Sequence, residues 1–345
     1  MPTKSKIPEG YNKDITIATI GSHTALQILK GAKDEGFATL VICTEKNRQV
    51  YERFNSADDM EIVKDYKDIL SEKFQKKLLE KNVVLIPHGS FVEYVGAKNI
   101  EKKLAVPMFG NKGTLDWESD RKKAKVWLTD AGVKAPREFK DPKDIKDLVI
   151  VKFPGAKGGR GYFTTFCEED FSDNLKLCKN PQEYTIQEYV VGTRFYPHYF
   201  YSPLTDKVEL LSMDIRYESN ADGLARTAGQ TDVEPTFTVT GNTPVVVRES
   251  LLPKILEMGD AVVKSSKKLF APGLIGPFCI ETICKDDLEF VAFEISARIV
   301  AGTNLYVQGS PYSQLIYDEP MSTGRRIARE IKIAQNKRML DRIIY

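Results

Sequence analysis

The chain lacks most of the features that announce a function on first reading. Its longest apolar runs, such as VVLIP at 83–87, are strand-sized and far short of a membrane span. The N-terminus, MPTKSKIPEG, has no apolar signal region, and the chain reads as cytoplasmic with no membrane partner. Charge is nearly balanced, with 50 Lys and Arg against 48 Asp and Glu. That balance argues against a general nucleic-acid binder but allows a local basic pocket for a phosphate ligand. The five cysteines include no CxxC pair. They read as free thiols of a reducing compartment, and Cys279 and Cys284 have no nearby histidine to complete a metal site. No GxGxxG follows the first strand pattern and no GxxxxGK-S/T occurs, so neither a dinucleotide turn nor a Walker loop is expected. Repeats, linkers and low-complexity runs are absent too. The 345 residues therefore suit two or three lobes packed on one another.

What is present begins with alternating strand and helix patterns. Strands are expected at 14–20, 38–44, 60–66 and 82–90, with helices after the first strand and over 68–82. This is a doubly wound α/β unit with a parallel sheet, which binds ligands at the carboxyl ends of its strands. Those ends are Gly21-Ser22-His23, Thr44-Glu45-Lys46 and Pro87-His88-Gly89-Ser90. Two run into helix N-termini, where free N–H groups favour an anion; the plainer alternative is ordinary capped turns. A charged helix is expected over 119–134. From 148 onward strand patterns dominate, interrupted by a helix near 252–269, and a basic amphipathic helix closes the chain over 323–339.

Three elements carry chemistry. Lys152 ends the apolar strand LVIVKF and precedes a glycine-rich turn, 155–161, holding Lys157 and Arg160. Backbone N–H groups and two cations there suit a mobile flap over a triphosphate; alone, the loop could be a plain hairpin. Gln187-Glu188-Tyr189-Val190 is a strand that stops before Gly192 and can offer its backbone to an adenine edge. Glu281 and Glu294 sit on the apolar strands FCIETIC and VAFEIS, joined by a short turn at 285–288. Hairpin pairing would set the two carboxylates side by side. They repel unless a cation lies between them, and magnesium fits because it shares oxygen ligands with phosphates. The alternative is two polar positions on a half-solvated strand. Arg298, just past the second strand, could meet a transferring phosphate or a carboxylate.

The order of these elements, lysine strand, glycine flap, hinge strand and paired carboxylates, resembles the ATP-grasp superfamily. The lobe in front resembles that superfamily's preceding α/β domain. The resemblance implies an ATP-grasp fold divided as 1–115, 116–200 and 201–345: a lobe holding a ribonucleotide, a small lobe with the flap, and a large lobe with the metal site. Longer motifs, including IATIGSHTALQILKGAKDEGF, VPMFGNKGTLDWESDR, VTGNTPVVVRESLLPKILEMGD and GLIGPFC, are similar to the archaeal PurP family across nearly the whole chain. That family formylates the purine intermediate AICAR, using formate and ATP. By resemblance His23, Ser90 and Asn242 would contact AICAR. Lys152, Gly158, Gly159, Arg160, Gln187, Glu188, Tyr189, Val190 and Glu218 would contact ATP, Glu281 and Glu294 would hold Mg2+ or Mn2+, and Lys152 and Arg298 would be catalytic. A homo-oligomer is also implied. The chain departs from the superfamily at Ser296, where many members carry Asn. It departs from the PurP family at 194–198, 226–235 and Glu281. A relative acting on another carboxylate or ribonucleotide, and an idle nucleotide sensor, stay as alternatives.

Overall fold

The computed structural model of the chain describes residues 11, 13–153, 162–178, 183–224, 233 and 238–345. Strands β1 (Thr16–Ile20), β2 (Ala38–Thr44), β3 (Asp59–Val63) and β4 (Val83–Leu85) form a parallel sheet in the order β3-β2-β1-β4. Their near-continuous apolar runs follow from burial on both faces by helices. The chain leaves β1 toward β2 on one side and returns to β4 on the other. The strand order therefore reverses at β1, and the crevice at that switch point is flanked by the turns after β1 and β4.

Strands β5 (Glu138–Phe139), β6 (Val149–Lys152), β7 (Tyr162–Thr165) and β8 (Thr185–Glu188) make a small antiparallel sheet, ordered β5-β8-β6-β7. The third sheet is antiparallel, ordered β11-β10-β9-β12-β13, from β9 (Thr193–Ser202), β10 (Lys207–Glu218), β11 (Val239–Pro244), β12 (Gly276–Cys284) and β13 (Phe290–Ser296).

Alternation along β9 gives this sheet two unlike faces. Tyr199 and Tyr201 point into a core built with Trp127, Ile255, Val262 and Phe278, where the helices Arg121–Asp130 and Leu252–Leu269 cover the sheet. Tyr199 stacks on Phe278 at 4.8 Å, and Trp127 Nε1 donates to Val262 O at 2.9 Å. Burying each such apolar side chain contributes about 1.5–3 kcal/mol. On the other face Phe200 joins Phe109, Leu211 and Ile275 in the core shared with the first sheet, while Tyr196 and His198 lie beside the polar groups described below. The chain end also returns to the first sheet. Met108 and Tyr345 exchange backbone hydrogen bonds, and the helix Thr323–Asn336 packs on the helix Ala25–Asp34.

Several elements are shorter than their patterns, and two of these have a clear local cause. β3 stops at Val63 because Asp65 and Asp68 form a capping box that starts a 3-10 turn, Tyr66–Leu70, so the following helix begins only at Glu72. β4 stops before Pro87, which has no N–H to continue a ladder.

Candidate active site

The switch-point crevice is built first by the turns after β1 and β4. His88 is fully buried. Its Nε2 donates to Ile20 O at 3.0 Å, and its Nδ1 accepts from Ser90 N at 3.2 Å. Both bonds require the neutral ring, and burial pushes its pKa down to about 3. His23 stacks on His88 at 5.3 Å with ring planes 3° apart. It holds φ +55°, a left-handed turn. The side chain is crowded by protein, yet the residue as a whole keeps an exposed surface. That enclosure, with the charges of Arg298 and Arg216, holds the imidazole well below its ordinary pKa. Ser90 Oγ meets Ser22 Oγ at 3.0 Å. Gly89 lies so close to the neighbouring side chains that a Cβ there would stand 2.9 Å from His23 Nε2 and 3.3 Å from the Arg298 guanidinium carbon.

That contact leads to the polar face of the five-stranded sheet. Register places Glu281 of β12 directly opposite Glu294 of β13, so both carboxylates do share one face. Glu281 is buried, and both its oxygens accept from Arg216 of β10, at 2.8 and 2.9 Å. Arg216 in turn lies 3.9 Å over the Tyr196 ring. Glu294 is crowded by protein but keeps an exposed surface toward the cleft. The charge of Glu281 and then burial push its carboxyl above the ordinary range, against the pull of Arg216 and Arg298. Ser296, at the position where Asn was expected, lies with Oγ 3.4 Å from Glu281 Oε1. Arg298 Nε donates to Glu118 Oε1 at 3.2 Å, while Glu118 Oε2 accepts from Ala297 N at 2.5 Å. Burial raises the Glu118 carboxyl and Arg298 opposes that rise. On β11, Asn242 is the register partner of Arg216, and its Nδ2 donates to Asp214 Oδ2 at 2.6 Å.

The small sheet supplies the remaining wall. Lys152 Nζ donates to Gln187 Oε1 at 2.6 Å. Burial, and then Arg121, lower its pKa, while the charge of Glu294 across the cleft opposes them. Glu188 N donates to Arg137 O and Tyr189 N to Leu148 O, which clamp the strand end; Val190 is buried behind it. Gly192 follows, where a Cβ would stand 2.3 Å from Cys284 O. Glu218 pairs with Arg194, and both charges reach Tyr162 on β7. Gly158, Gly159 and Arg160 lie outside the described residues.

The structure thus gathers His23, Ser90, Arg298, Glu281, Glu294 and Asn242 around one crevice and sets Lys152 within electrostatic reach of Glu294. Sequence reasoning missed Arg216, Glu118 and Asp214. Arg216 and Asp214 sit at every second position of β10, a spacing that signals one shared face. Glu118 gave no signal, since charged residues surround it in its helix. The donor set for a cation is two carboxylates with a hydroxyl nearby. Among the described residues no group of three or more His, Cys, Asp and Glu side chains could hold a metal by itself. Such a set fits a hard cation that takes its other ligands from phosphate oxygens and water. The cysteines are free thiols, and no described helix is long and apolar enough to cross a membrane.

Two family models match the chain. One, described as a domain of unknown function (DUF1297), covers residues 168–345; the other, described as a protein of unknown function (DUF1246), covers residues 17–139. A relative from Methanocaldococcus jannaschii, named 5-formaminoimidazole-4-carboxamide-1-(beta)-D-ribofuranosyl 5'-monophosphate synthetase, is 51% identical over 98% of each chain. The crystal structure of an IMP biosynthesis protein PurP from Thermococcus kodakaraensis matches at TM-score 0.78 and 33% identity, over 95% of this chain and 100% of that one. The ADP complex of an N5-carboxyaminoimidazole ribonucleotide synthetase matches at TM-score 0.66 and 15% identity, over 91% of this chain and 76% of that one. This last likeness speaks for the ATP-grasp fold alone.

Proposed function

The chain belongs to the PurP family of 5-formaminoimidazole-4-carboxamide ribonucleotide synthetases, and from that premise we propose how its crevice carries out the reaction. The enzyme is an ATP-grasp carbon–nitrogen ligase of IMP biosynthesis that joins formate to the amine of AICAR. ATP lies between the small sheet and the five-stranded sheet. Its adenine meets the backbone of Glu188, Tyr189 and Val190, with Glu218 at the ribose side and Lys152 on its phosphates. Gly158, Gly159 and Arg160, the other ATP contacts that the resemblance implies, lie outside the described residues.

Glu281 and Glu294 hold Mg2+, or Mn2+ in its place, which neutralises phosphate charge when bound. Arg216 now occupies both Glu281 oxygens. Each oxygen keeps a second lone pair, so Glu281 can share a cation while Arg216 stays bonded and holds the carboxylate in place. In the first step a formate oxygen attacks the γ-phosphorus and ADP leaves, giving formyl phosphate. Such transfers depend on positioning and charge stabilisation, and Lys152 and Arg298 supply both. In the second step the AICAR amine attacks the formyl carbon, phosphate departs with the C–O bonding pair, and the amine loses one proton. Exclusion of water protects the acyl phosphate between steps.

The observation that carries this reading is the wedge of Gly89 between His23 and Arg298. It sets His23 and Arg298 side by side, which supports reading His23 and Ser90 as the ribonucleotide rim next to the face that transfers phosphate. Steady-state kinetics of two variants test it. His23→Ala should raise the AICAR KM by about tenfold or more while the ATP KM stays within about twofold, on the strength of one lost contact. Lys152→Ala should abolish ATP turnover while AICAR still binds. An unchanged AICAR KM in the first, or full turnover in the second, removes that residue from the site. A cytoplasmic location suits a pathway of soluble metabolites. A homo-oligomer is in keeping with the exposed Leu305, Val307, Leu315 and Ile316.

A further inference from the structure

Beneath Asn242 lies a buried polar cluster to which the reaction above gives no part. Asp214 is fully buried. Its Oδ2 accepts from Asn242 Nδ2 at 2.6 Å, and its Oδ1 accepts from His198 Nε2 at 2.8 Å. The other ring nitrogen of His198 lies 2.7 Å from Ser212 Oγ, and both residues are buried. The turn Ala301–Tyr306 covers this carboxylate. A Cβ on Gly302 would stand 2.2 Å from Asp214 Oδ1, so only glycine lets the turn come this close. Two residues on, Asn304 Nδ2 donates to His23 O at 3.0 Å. One turn therefore braces both the support of Asn242 and the His23 loop.

A carboxylate only accepts hydrogen bonds, whereas an amide has one end that donates and one that accepts. Asn242 must therefore give its NH2 to Asp214. The flipped amide would set oxygen against oxygen and leave a buried acceptor unsatisfied. His198 blocks the other escape, because it already donates to the second oxygen. The carbonyl end of Asn242 is fixed away from Asp214.

We propose that Asp214 is a positioning residue that fixes Asn242 with its carbonyl oxygen toward the ribonucleotide, so that the site accepts an N–H and selects a carboxamide over a carboxylate at that position. This rests on the reading of Asn242 as a ribonucleotide contact. Sites built to bond one polar partner strongly reject the analogue that leaves them unpaired.

Calorimetric affinities of the full-length enzyme for AICAR, and for the same ribonucleotide with a carboxylate replacing its carboxamide, test this. The wild type should bind AICAR about 100-fold or more tightly than the carboxylate analogue. Equal affinities overturn the proposal without any variant. Asn242→Ala and Asp214→Asn should each weaken AICAR by roughly tenfold while ADP affinity holds within about twofold. In Asp214→Asn the one remaining oxygen cannot accept from both His198 Nε2 and Asn242 Nδ2, so the hold on Asn242 loosens and the AICAR preference should also narrow. The double variant D214N/N242D reverses donor and acceptor but keeps an oxygen outward. It should recover AICAR binding to within a few-fold of wild type, which a merely structural Asp214 would not allow. A folded double variant as weak as D214N refutes the positioning role. Unchanged AICAR binding in Asn242→Ala instead refutes Asn242 as a contact, which separates the two failures.

Discussion

His88 shows how a single buried residue ties stability to the geometry of the site. Its two ring nitrogens are committed to an acceptor and a donor, so protonation would set an N–H against the Ser90 N–H. The unfolded ring titrates near 6.5 and the folded ring near 3. Between those values the unfolded chain binds a proton that the folded chain does not, so stability falls as pH falls. The slope from this group in that window is about 1.4 kcal/mol per pH unit; the stability it represents is present in full above pH 6.5 and lost progressively toward pH 3. Denaturant unfolding from pH 7 to 4.5 should show this added slope in the wild type and lose it in His88→Asn. Parallel curves for the two proteins contradict the assignment. Residues of this kind were unevenly legible. Glu281, Glu294 and Lys152 stood out because ionisable groups inside apolar strands need a reason. His23 drew notice from the turn that holds it. Asp214, Arg216 and Glu118 did not stand out, because their partners, Asn242, Glu281 and Arg298, come from distant stretches of chain.

Among the elements, the hinge after β8 is the one on which the proposed ATP site leans most directly. Gly192 sits where a methyl group would lie 2.3 Å from the carbonyl oxygen and 2.9 Å from the carbonyl carbon of Cys284. Neither atom can yield without moving the end of β12. Gly192→Ala should therefore shift Glu188–Val190 and raise the ATP KM by about three- to tenfold, with AICAR affinity nearly unchanged, since a displacement near one ångström is costly in such sites. Matching shifts in both ligands would mean that the hinge and the ribonucleotide rim are not separable. Periodicity revealed most elements, and the run ATLVICT matches β2 residue for residue. It could not reveal the 3-10 turn after β3, which depends on side-chain bonds from Asp65 and Asp68. Nor could it reveal that the helix Thr323–Asn336 folds back onto the first sheet, because an amphipathic pattern gives a face and no address.

Across the whole molecule, three sheets surround one crevice, and the charges within it are arranged in opposed pairs. Arg216 balances Glu281, Arg298 balances Glu118, and Arg194 balances Glu218. Lys152 faces Glu294 from the opposite wall. The arrangement pairs half-buried cations with carboxylates around the proposed site, while the overall formal charge stays at +2. On the proposed function, phosphoryl transfer at this face is coupled to acylation of the ribonucleotide at the adjoining rim. Release of ADP measured with and without formate and AICAR, across a panel of small carboxylates, tests that claim most directly. Sustained ADP release is expected only when formate and AICAR are both present, in step with the formylated ribonucleotide. ADP release with AICAR and a carboxylate other than formate, or without any carboxylate, would contradict it.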